Sequence, residues 1–338
     1  MLRLQTLPPR QAHFCLEVDR FVREELTISL AGTHVMLAVS GGVDSVSLLA
    51  WAAAMRDKWG ARLSCAHLDH GLRPESSQER QRVHALCDQL AIPCFSGRSE
   101  TRRYAQRCQL GIEEAGRLLR YRYLEGIAHR RGCDYLLTAH HANDLAEDSL
   151  MRFIRGTGWP GMAGMAAWDS GRRLLRPFLL TPKHRLRALV QATGLCWEED
   201  SSNRDPAYQR NRIRHQILPL LIKENPNFLE TIAQTWRQAQ ADTAAFDTML
   251  TAARQAERVV KQGLLAPRQE LESLPAALRL RWYKEILDRM GPGQALSANL
   301  AALDALYTEK KSGKRVQFPG DKQARVSPEG IIFGWKGD

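Results

Sequence analysis

The sequence has no Cys-x-x-Cys pair, no long apolar run and no low-complexity tract. Its 7 cysteines are scattered, which excludes a disulfide framework and a Cys-rich zinc or iron–sulfur site. The longest apolar run, Leu48 to Met55, is far shorter than the ~20 residues that cross a bilayer, and residues 1–30 carry no apolar signal core. We therefore expect a cytoplasmic protein with reduced thiols and no membrane partner.

Lysine is scarce, and the positive charge is carried by arginine. Arginine outnumbers lysine 38 to 10, and the net charge is +11. From Arg152 to His215, 12 basic residues stand against 5 acidic ones, so this stretch supplies +7. The arginine fork suits bidentate phosphate contacts. A polyanionic partner, nucleic acid above all, is favoured over a purely solubilising role for the charge.

The 338 residues predict two domains. Short apolar segments alternate with helical patterns up to about residue 216, which predicts a doubly wound α/β domain with a mainly parallel sheet. The expected strands are 34–39, 62–68, 92–96, 134–140 and 173–178, and the expected helices are 11–31, 45–59, 76–91, 113–131, 144–155 and 183–193. Residues 217–338 read as a smaller, mainly helical domain with a terminal hairpin, which is structural or grips a substrate. Its helices are expected at 228–260, 270–290 and 296–308.

The segment Ser40-Gly41-Gly42-Val43-Asp44-Ser45 lies where the first strand ends and a helix opens. Paired glycines let backbone N–H groups approach a phosphate, and a helix N-terminus favours an anion. No lysine follows, so this is not the Gly-x-x-x-x-Gly-Lys loop. An aspartate beside a polyphosphate makes sense if it holds Mg²⁺. The alternative is a plain turn in which Asp44 and Ser45 cap the helix.

This turn resembles the PP-loop (N-type) ATP pyrophosphatases, and further segments resemble the tRNA(Ile)-lysidine synthetase family over residues 33–219. Those segments are His67-Leu68-Asp69-His70-Gly71-Leu72-Arg73, Ile112 to Arg117 with Arg120-Tyr121, Thr138 to Glu147, Arg155 to Gly158, Gly161 to Met165, Arg176-Pro177-Phe178, Trp197 to Asp200 and Arg210 to His215. The resemblance implies ATP-dependent attachment of L-lysine to carbon 2 of the wobble cytidine in an isoleucine tRNA with a CAU anticodon. The cytidine is first adenylated, and AMP and pyrophosphate are released.

His140 and Asp144 lie four residues apart where a strand passes into a helix, so both should face the strand ends. The resemblance implies that Asp144 joins Asp44 in positioning Mg²⁺ and the reacting cytosine. His140 then contacts the nucleotide or relays a proton, for which a pKa near neutrality is suited. The alternatives are helix capping by Asp144 and a structural histidine in the turn.

The ATP site implied by the resemblance draws on the glycine turn and on two later segments. Its members are Ser40, Gly41, Gly42, Asp44, Ser45, His67 and Arg117. His67 would frame the nucleotide from the end of a strand. Arg117 would reach back to ATP from its helix, or else pair with Glu113 or Glu114. The sequence does not distinguish whether Arg73 contacts a phosphate or is a solvated charge in a loop.

Glu147 is a candidate for binding the lysine ammonium, or else a solvated carboxylate on the helix surface. Arg210, Arg212 and Arg214 alternate, so they spread around a helix but share one face of an extended segment. The resemblance implies that Arg210 or Arg214 stabilises the adenylated intermediate. Asn143 departs from the family pattern, in which an Asp is usual, so a second carboxylate role at this position is in doubt.

Other functions remain to be distinguished. A cytidine thiolase would need catalytic or cluster-binding cysteines, typically as Cys-x-x-Cys. A small-molecule synthetase would not need the basic stretch, and a silent RNA-binding module would not need Asp44 or the glycines. The sequence is compatible with a homodimer but does not determine the oligomeric state.

Overall fold

A computed structural model describes residues 2–72, 76–198 and 208–337. Arg73 and most of the polar segment predicted as a loop at 198–210 lie outside the described residues. The chain divides into two compact units, the first comprising residues 1–157 and 161–236 and the second comprising 158–160 and 237–338. The division lies later than the boundary predicted near residue 216, because Ile232 and Trp236 pack with Leu145 and Leu179 of the first unit.

The first unit is built on a six-stranded sheet with the order β3-β2-β1-β4-β6-β5. Its strands are β1 (His34–Ala38), β2 (Arg62–Asp69), β3 (Cys94–Arg98), β4 (Tyr135–Leu137), β5 (Trp168–Asp169) and β6 (Leu174–Leu175). Only the edge strand β5 is antiparallel to its neighbour. The strand order reverses between β1 and β4, which places a crevice for ligands at their carboxyl ends.

Helices cover both faces of this sheet. They are α1 (Pro9–Arg20), α2 (Val43–Trp59), α3 (Ser76–Gln89), α4 (Thr101–Cys108), α5 (Ile112–Arg130), α6 (Ala142–Ile154), α7 (Lys183–Thr193), α8 (Gln209–Arg212) and α9 (Leu218–Glu224). Val35 and Leu37 of β1 pack in the core with α2, whereas the intervening Met36 packs on the other face with α5. The predicted doubly wound, mainly parallel sheet is confirmed. The helix expected at 11–31 ends earlier, since α1 passes into a short π-helix at Phe21–Glu25.

The second unit contains more strand than the sequence analysis predicted. Helix α10 (Phe228–Met249) begins in the first unit, and α11 (Thr251–Gln255) follows. The remaining elements are β7 (Arg258–Val260), β8 (Gly263–Pro267), α12 (Arg268–Ser273), α13 (Ala276–Arg289), α14 (Ser297–Thr308), β9 (Arg315–Phe318), β10 (Lys322–Ser327) and β11 (Gly330–Trp335). The strands form one antiparallel sheet in the order β7-β8-β11-β10-β9.

The helix predicted for 228–260 is therefore wrong beyond Gln255. Gly263 explains the difference, because it has a φ of +129° and a Cβ there would lie 2.0 Å from the Phe333 carbonyl oxygen. Glycine at this position lets β8 approach β11. As a result β7 and β8 join the strands of the expected terminal hairpin in one five-stranded sheet. Across the described residues, no helix combines the length and apolar character that a bilayer crossing requires.

Lys322 is buried in the second unit, and its ammonium closes the end of α13. Its Nζ donates to the carbonyl oxygens of Leu287, Gly291 and Gly293 at 2.9, 3.0 and 2.7 Å. Lys322→Met keeps the aliphatic stem but leaves three carbonyl acceptors without their donor. We therefore expect the free energy of unfolding to fall by about 2 kcal/mol. Urea unfolding measures this change. The exposed Lys336→Met is the control, and an equally small effect in both variants would contradict the role of the ammonium.

Candidate active site

The turn between β1 and α2 is held by the hydroxyl of Ser45. Its Oγ accepts the backbone N–H groups of Ser40 and Gly41, both at 3.1 Å, and donates to the carbonyl oxygen of Gly42 at 2.9 Å. Gly41 has a φ of +97°, a conformation that favours glycine. Gly42 is the N-cap of α2 and has no side chain to cover the helix N-terminus. The turn therefore exposes a positive helix end at the crevice between β1 and β4.

Asp44 lies in the first turn of α2 and does not cap it. Its Oδ2 accepts a hydrogen bond from Lys183 Nζ at 3.0 Å and lies 3.4 Å from His141 Nε2. Its Oδ1 is buried and has no hydrogen-bond partner among the described residues. Burial alone would raise the pKa of this carboxyl, but His141 and Lys183 bring the pKa below its usual value. Asp44 is thus an ionised carboxylate with one oxygen available.

His141 lies between the two aspartates. Its Nε2 faces Asp44, and its Nδ1 lies 3.4 Å from Asp144 Oδ2. The imidazole is only 2% exposed. Burial lowers the pKa of His141, but the carboxylates of Asp144 and Asp44 more than offset this and raise the pKa above its ordinary value. The array is therefore a carboxylate, a histidine whose pKa is raised, and a second carboxylate.

Asp144 has two separate sets of contacts. Its Oδ2 accepts the backbone N–H of His141 at 3.1 Å and so caps α6. Its Oδ1 accepts hydrogen bonds from Arg210 Nη2 at 3.1 Å and Arg214 Nη2 at 2.9 Å. Burial would raise the pKa of Asp144, but the adjacent histidines and guanidinium groups hold the pKa well below its usual range. The capping alternative is thus realised, alongside a charged role.

Glu147 lies one turn further along α6 and is 1% exposed. Arg210 Nε donates to its Oε2 at 2.9 Å, and Arg214 Nε donates to its Oε1 at 2.6 Å. Glu147 is therefore not a solvated surface carboxylate. Both oxygens of Glu147 are occupied by arginines in this geometry. A lysine ammonium would have to displace a guanidinium group before Glu147 could bind it, as the sequence analysis expects.

The two arginines converge because the segment is helical. Arg210 lies in α8 and Arg214 in the π-helix Ile213–Ile217, and four residues along a helix bring both onto one face. Arg212 between them is exposed. The sequence left open which of Arg210 and Arg214 enters the site, and the structure places both of them on the same two carboxylates.

His140 is half-buried beside this cluster, and its Nδ1 lies 2.9 Å from Thr138 Oγ1. Burial lowers the pKa of His140 to about 3, with nearby Arg176 and Arg120 contributing. The ring is therefore neutral near pH 7. A ring with so low a pKa is not suited to relay a proton near neutrality, but it can still hydrogen-bond a substrate.

The other predicted ATP residues lie at different places. His67 is buried in β2, and its Nδ1 donates to the carbonyl oxygen of Val39 at 2.9 Å, just before the glycine turn. Its Nε2 is buried with no partner in the described part of the chain. Arg117 is exposed on α5, with its guanidinium 5.3 Å from the ring centroid of Tyr121. His67 thus supports the turn, whereas Arg117 belongs to a neighbouring arginine cluster.

Sequence reasoning missed two members of the site, His141 and Lys183. Lys183 opens α7, and its backbone N–H donates to Asn143 Oδ1 at 3.1 Å while its ammonium contacts Asp44. Asn143 thus positions the lysine. The only local signal for Lys183 is the Pro182-Lys183 pair at a helix start, and His141 has no local signal beyond its place next to His140.

The donor set fits a divalent cation at Asp44 better than at Asp144. Within residues 2–72, 76–198 and 208–337, no three His, Cys, Asp or Glu side chains converge as a metal cage. Mg²⁺ usually needs only one or two carboxylates, with substrate phosphates and waters completing its shell. The unpartnered Oδ1 of Asp44 meets that need. Both oxygens of Asp144 already accept hydrogen bonds.

The charge of His141 predicts a pH-dependent stability. Because its folded-state pKa is raised, its stabilisation is full below about pH 6.5, the unfolded value, and is lost as pH rises through the folded pKa. His141→Gln should therefore lower the thermal midpoint more at about pH 6 than at about pH 9. The facing carboxyls of Asp44 and Asp144 have lowered pKa values and stay ionised in this window. A difference that grows toward pH 9 would contradict the charged array.

The fold and the turn define the class of protein. A family model described as a PP-loop domain matches residues 12–221. This domain implies ATP binding. Among solved structures, the U34-tRNA thiolase NcsA from Methanococcus maripaludis with its [4Fe-4S] cluster aligns with a TM-score of 0.54 at 16% identity, covering 67% of this chain and 79% of that one. That likeness concerns the fold alone.

Two curated relatives narrow the class. The tRNA(Ile)-lysidine synthase of Nitratidesulfovibrio vulgaris is 40% identical over 317 residues, which cover 89% of this chain and 91% of that protein. The tRNA(Ile)-lysidine synthase of Geobacter sulfurreducens is 31% identical over 337 residues, covering 98% and 70% respectively. The chain belongs to the tRNA(Ile)-lysidine synthase family.

Proposed function

We propose that this protein is an AMP-forming ligase that attaches L-lysine, through its side-chain amine, to carbon 2 of the wobble cytidine in an isoleucine tRNA with a CAU anticodon. The cytosine O2 attacks the α-phosphorus of ATP and releases pyrophosphate. The lysine amine then attacks carbon 2, and AMP leaves with the former O2. The reaction is expected in the cytoplasm, and a homodimer remains a prediction.

One observation carries the proposal: the phosphate turn and the cluster around Asp144 and Glu147 are joined in one network. Asp44 opens α2 at the turn, and His141 links it to Asp144. Both steps build negative charge on phosphate oxygens, which preorganised cations and backbone donors stabilise. Lys183, His141, Arg210 and Arg214 supply such cations beside one helix N-terminus.

The ATP site begins at the turn. The free N–H groups of the first turn of α2 face the triphosphate. Ser40, Gly41 and Gly42 keep the approach open, and Ser45 fixes the turn from inside. Lys183 contacts Asp44 and lies where it can pair with a phosphate oxygen. His67 is proposed to frame the nucleotide, whereas the contact of Arg117 with ATP stays a prediction, because its guanidinium lies against the ring of Tyr121.

Asp44 is proposed to hold Mg²⁺ through its unpartnered Oδ1, with Asp144 nearby as a second carboxylate. The cation, when bound, supplies charge neutralisation at the phosphates. Arg210 and Arg214 are assigned together to the adenylated intermediate, since each can exchange a carboxylate for a phosphate oxygen. Glu147 positions both guanidinium groups. His140, neutral near pH 7, is proposed to hydrogen-bond the nucleotide or the cytosine.

A cytidine thiolase of the same fold is the second candidate. The sequence contains no Cys-x-x-Cys pair, and family membership favours lysine attachment. Residues 217–338 carry a net charge of +3, and the second unit, which makes up most of this stretch, is proposed to grip the tRNA or to support the fold.

We expect labelled lysine to be incorporated into an isoleucine tRNA with a CAU anticodon when ATP and Mg²⁺ are present, with AMP and pyrophosphate released in equal amounts. The matched control is the same transcript with uridine at the wobble position. Equal incorporation into both transcripts would contradict the proposed target. Release of AMP without any lysine on the RNA would contradict the proposed ligation.

A further inference from the structure

A cavity of about 440 Å³ opens on the outer side of α5. Its wall includes three arginines, two tyrosines and two leucines, among them Arg117, Arg122, Arg172, Tyr104 and Tyr121. The volume is that of a site for one small ligand or one nucleotide, not of a surface that holds a duplex. Glu125 also lines it and lies 3.4 Å from Arg172.

Positive charge in this region is poorly compensated. Residues 101–131, which include α4 and α5, contain 8 arginines and 3 glutamates. Among the described residues, Arg117, Arg120 and Arg122 form no ion pair with a carboxylate. The guanidinium groups of Arg117, Arg120 and Arg172 lie 5.3, 5.4 and 5.1 Å from the ring centroid of Tyr121. Three cations on one ring repel each other unless an anion joins them.

The buried hydroxyl of Tyr121 faces the guanidinium of Arg176, whose Nε has no partner within the described residues. Buried polar groups are normally hydrogen-bonded, so this N–H beside the arginine cluster could be satisfied by a polar ligand or water. Phosphate accepts from several donors at once and matches the arginine fork. The half-buried Tyr104 adds an aromatic face at the rim, where an unstacked base can lie.

The cavity and the ATP cradle lie in different layers. The cradle opens α2, which packs with Val35 and Leu37 on one face of the sheet. The cavity lies on α5, which packs with Met36 and Leu136 on the other face. Arg120 lies beside the cavity, with its guanidinium 5.4 Å from the Tyr121 ring centroid, and burial lowers its pKa, to which repulsion from Arg117 and Arg210 adds.

We propose that this cavity binds the RNA strand outside the reacting base: Arg122 and Arg172 hold a backbone phosphate, and the neighbouring base lies against Tyr104. The inference rests on the proposed function for the identity of the RNA. In this proposal, α5 and the turn between β5 and β6 bind a nucleotide next to the one that reacts.

The test compares wild type with Arg122→Ala/Arg172→Ala. The probe is a short RNA hairpin that carries the CAU loop, and binding is measured by fluorescence anisotropy at several salt concentrations. We expect the double variant to bind about tenfold more weakly and to lose about 0.7 from the salt slope, the value for one single-strand phosphate contact. The matched control, Arg3→Ala/Arg23→Ala, removes two arginines that are each 58% exposed and ion-paired elsewhere.

Steady-state kinetics separate the RNA from ATP as the occupant. We expect the KM for RNA to rise about tenfold, with kcat and the KM for ATP unchanged. A raised KM for ATP with unchanged RNA binding would overturn the proposal, as would equal weakening in the control variant. If wild type binds the hairpin but attaches no lysine, the proposed function fails. The comparison of hairpin binding between wild type and the double variant still tests whether the cavity binds RNA. Equal thermal midpoints exclude unfolding as the cause.

Discussion

Asp44→Asn is expected to lower the turnover of lysine attachment about a thousandfold while leaving the thermal midpoint close to that of wild type. The side chain does not cap α2, whose N-cap is Gly42, so its removal costs the helix little. The substitution keeps the volume but removes the charge that faces Lys183 and His141. Binding of the triphosphate and of Mg²⁺ should weaken together.

The control for this experiment is Asp57→Asn. It neutralises a carboxylate that is 59% exposed and pairs with Arg3, not with a residue of the turn. It should retain full turnover. If Asp44→Asn remained active, or lost activity only because it unfolded, the assignment of the turn as the ATP cradle would be wrong. Asp144 is less suitable for this test, because its Oδ2 caps α6 and its loss also destabilises the helix.

Glu147→Gln is expected to lower the free energy of unfolding by about 3 kcal/mol and to reduce turnover strongly. Glu147 is 1% exposed and accepts the Nε groups of Arg210 and Arg214. Glutamine keeps the shape but leaves two buried guanidinium groups with less compensating charge, and its amide donors face other donors. Urea unfolding and the lysine-attachment assay measure the two effects.

A double-mutant cycle isolates the ion pair from simple loss of packing. Glu147→Gln combined with Arg214→Gln should be less destabilising than the sum of the single changes, because the second change removes the uncompensated charge. Glu24→Gln, which affects an exposed pair with Arg23, is the control and should change stability little. Additive effects at Glu147 and Arg214 would contradict the proposed clamp.

The sheet and the phosphate turn could be predicted because their signals are local. The apolar segment at 34–39 and the two glycines after it specify a buried strand and an open helix N-terminus within a dozen residues. The alternating pattern of strands and helices then orders the sheet. His140 and Asp144 could be placed at the strand ends for the same reason.

The partners inside the site could not be predicted, because they come from distant parts of the chain. His141 connects Asp44 with Asp144, and Lys183 reaches Asp44 from another helix. For Glu147 the sequence offered a contact with the lysine ammonium or a solvated carboxylate, and its pairing with Arg210 and Arg214 depends on a segment more than sixty residues away. In the second unit, the helical spacing in 228–260 continued by coincidence past the helix end, and the contacts that make Val259 part of a strand come from β8.

The most direct measurement of the central claim follows the α-phosphate of ATP. With α-labelled ATP, Mg²⁺ and the isoleucine tRNA but no lysine, the account predicts that labelled AMP becomes attached to the RNA at the wobble cytidine and is released when lysine is added. The transcript with a wobble uridine and the Asp44→Asn variant should carry no label. Label that appears on lysine, and never on the RNA, would contradict the account.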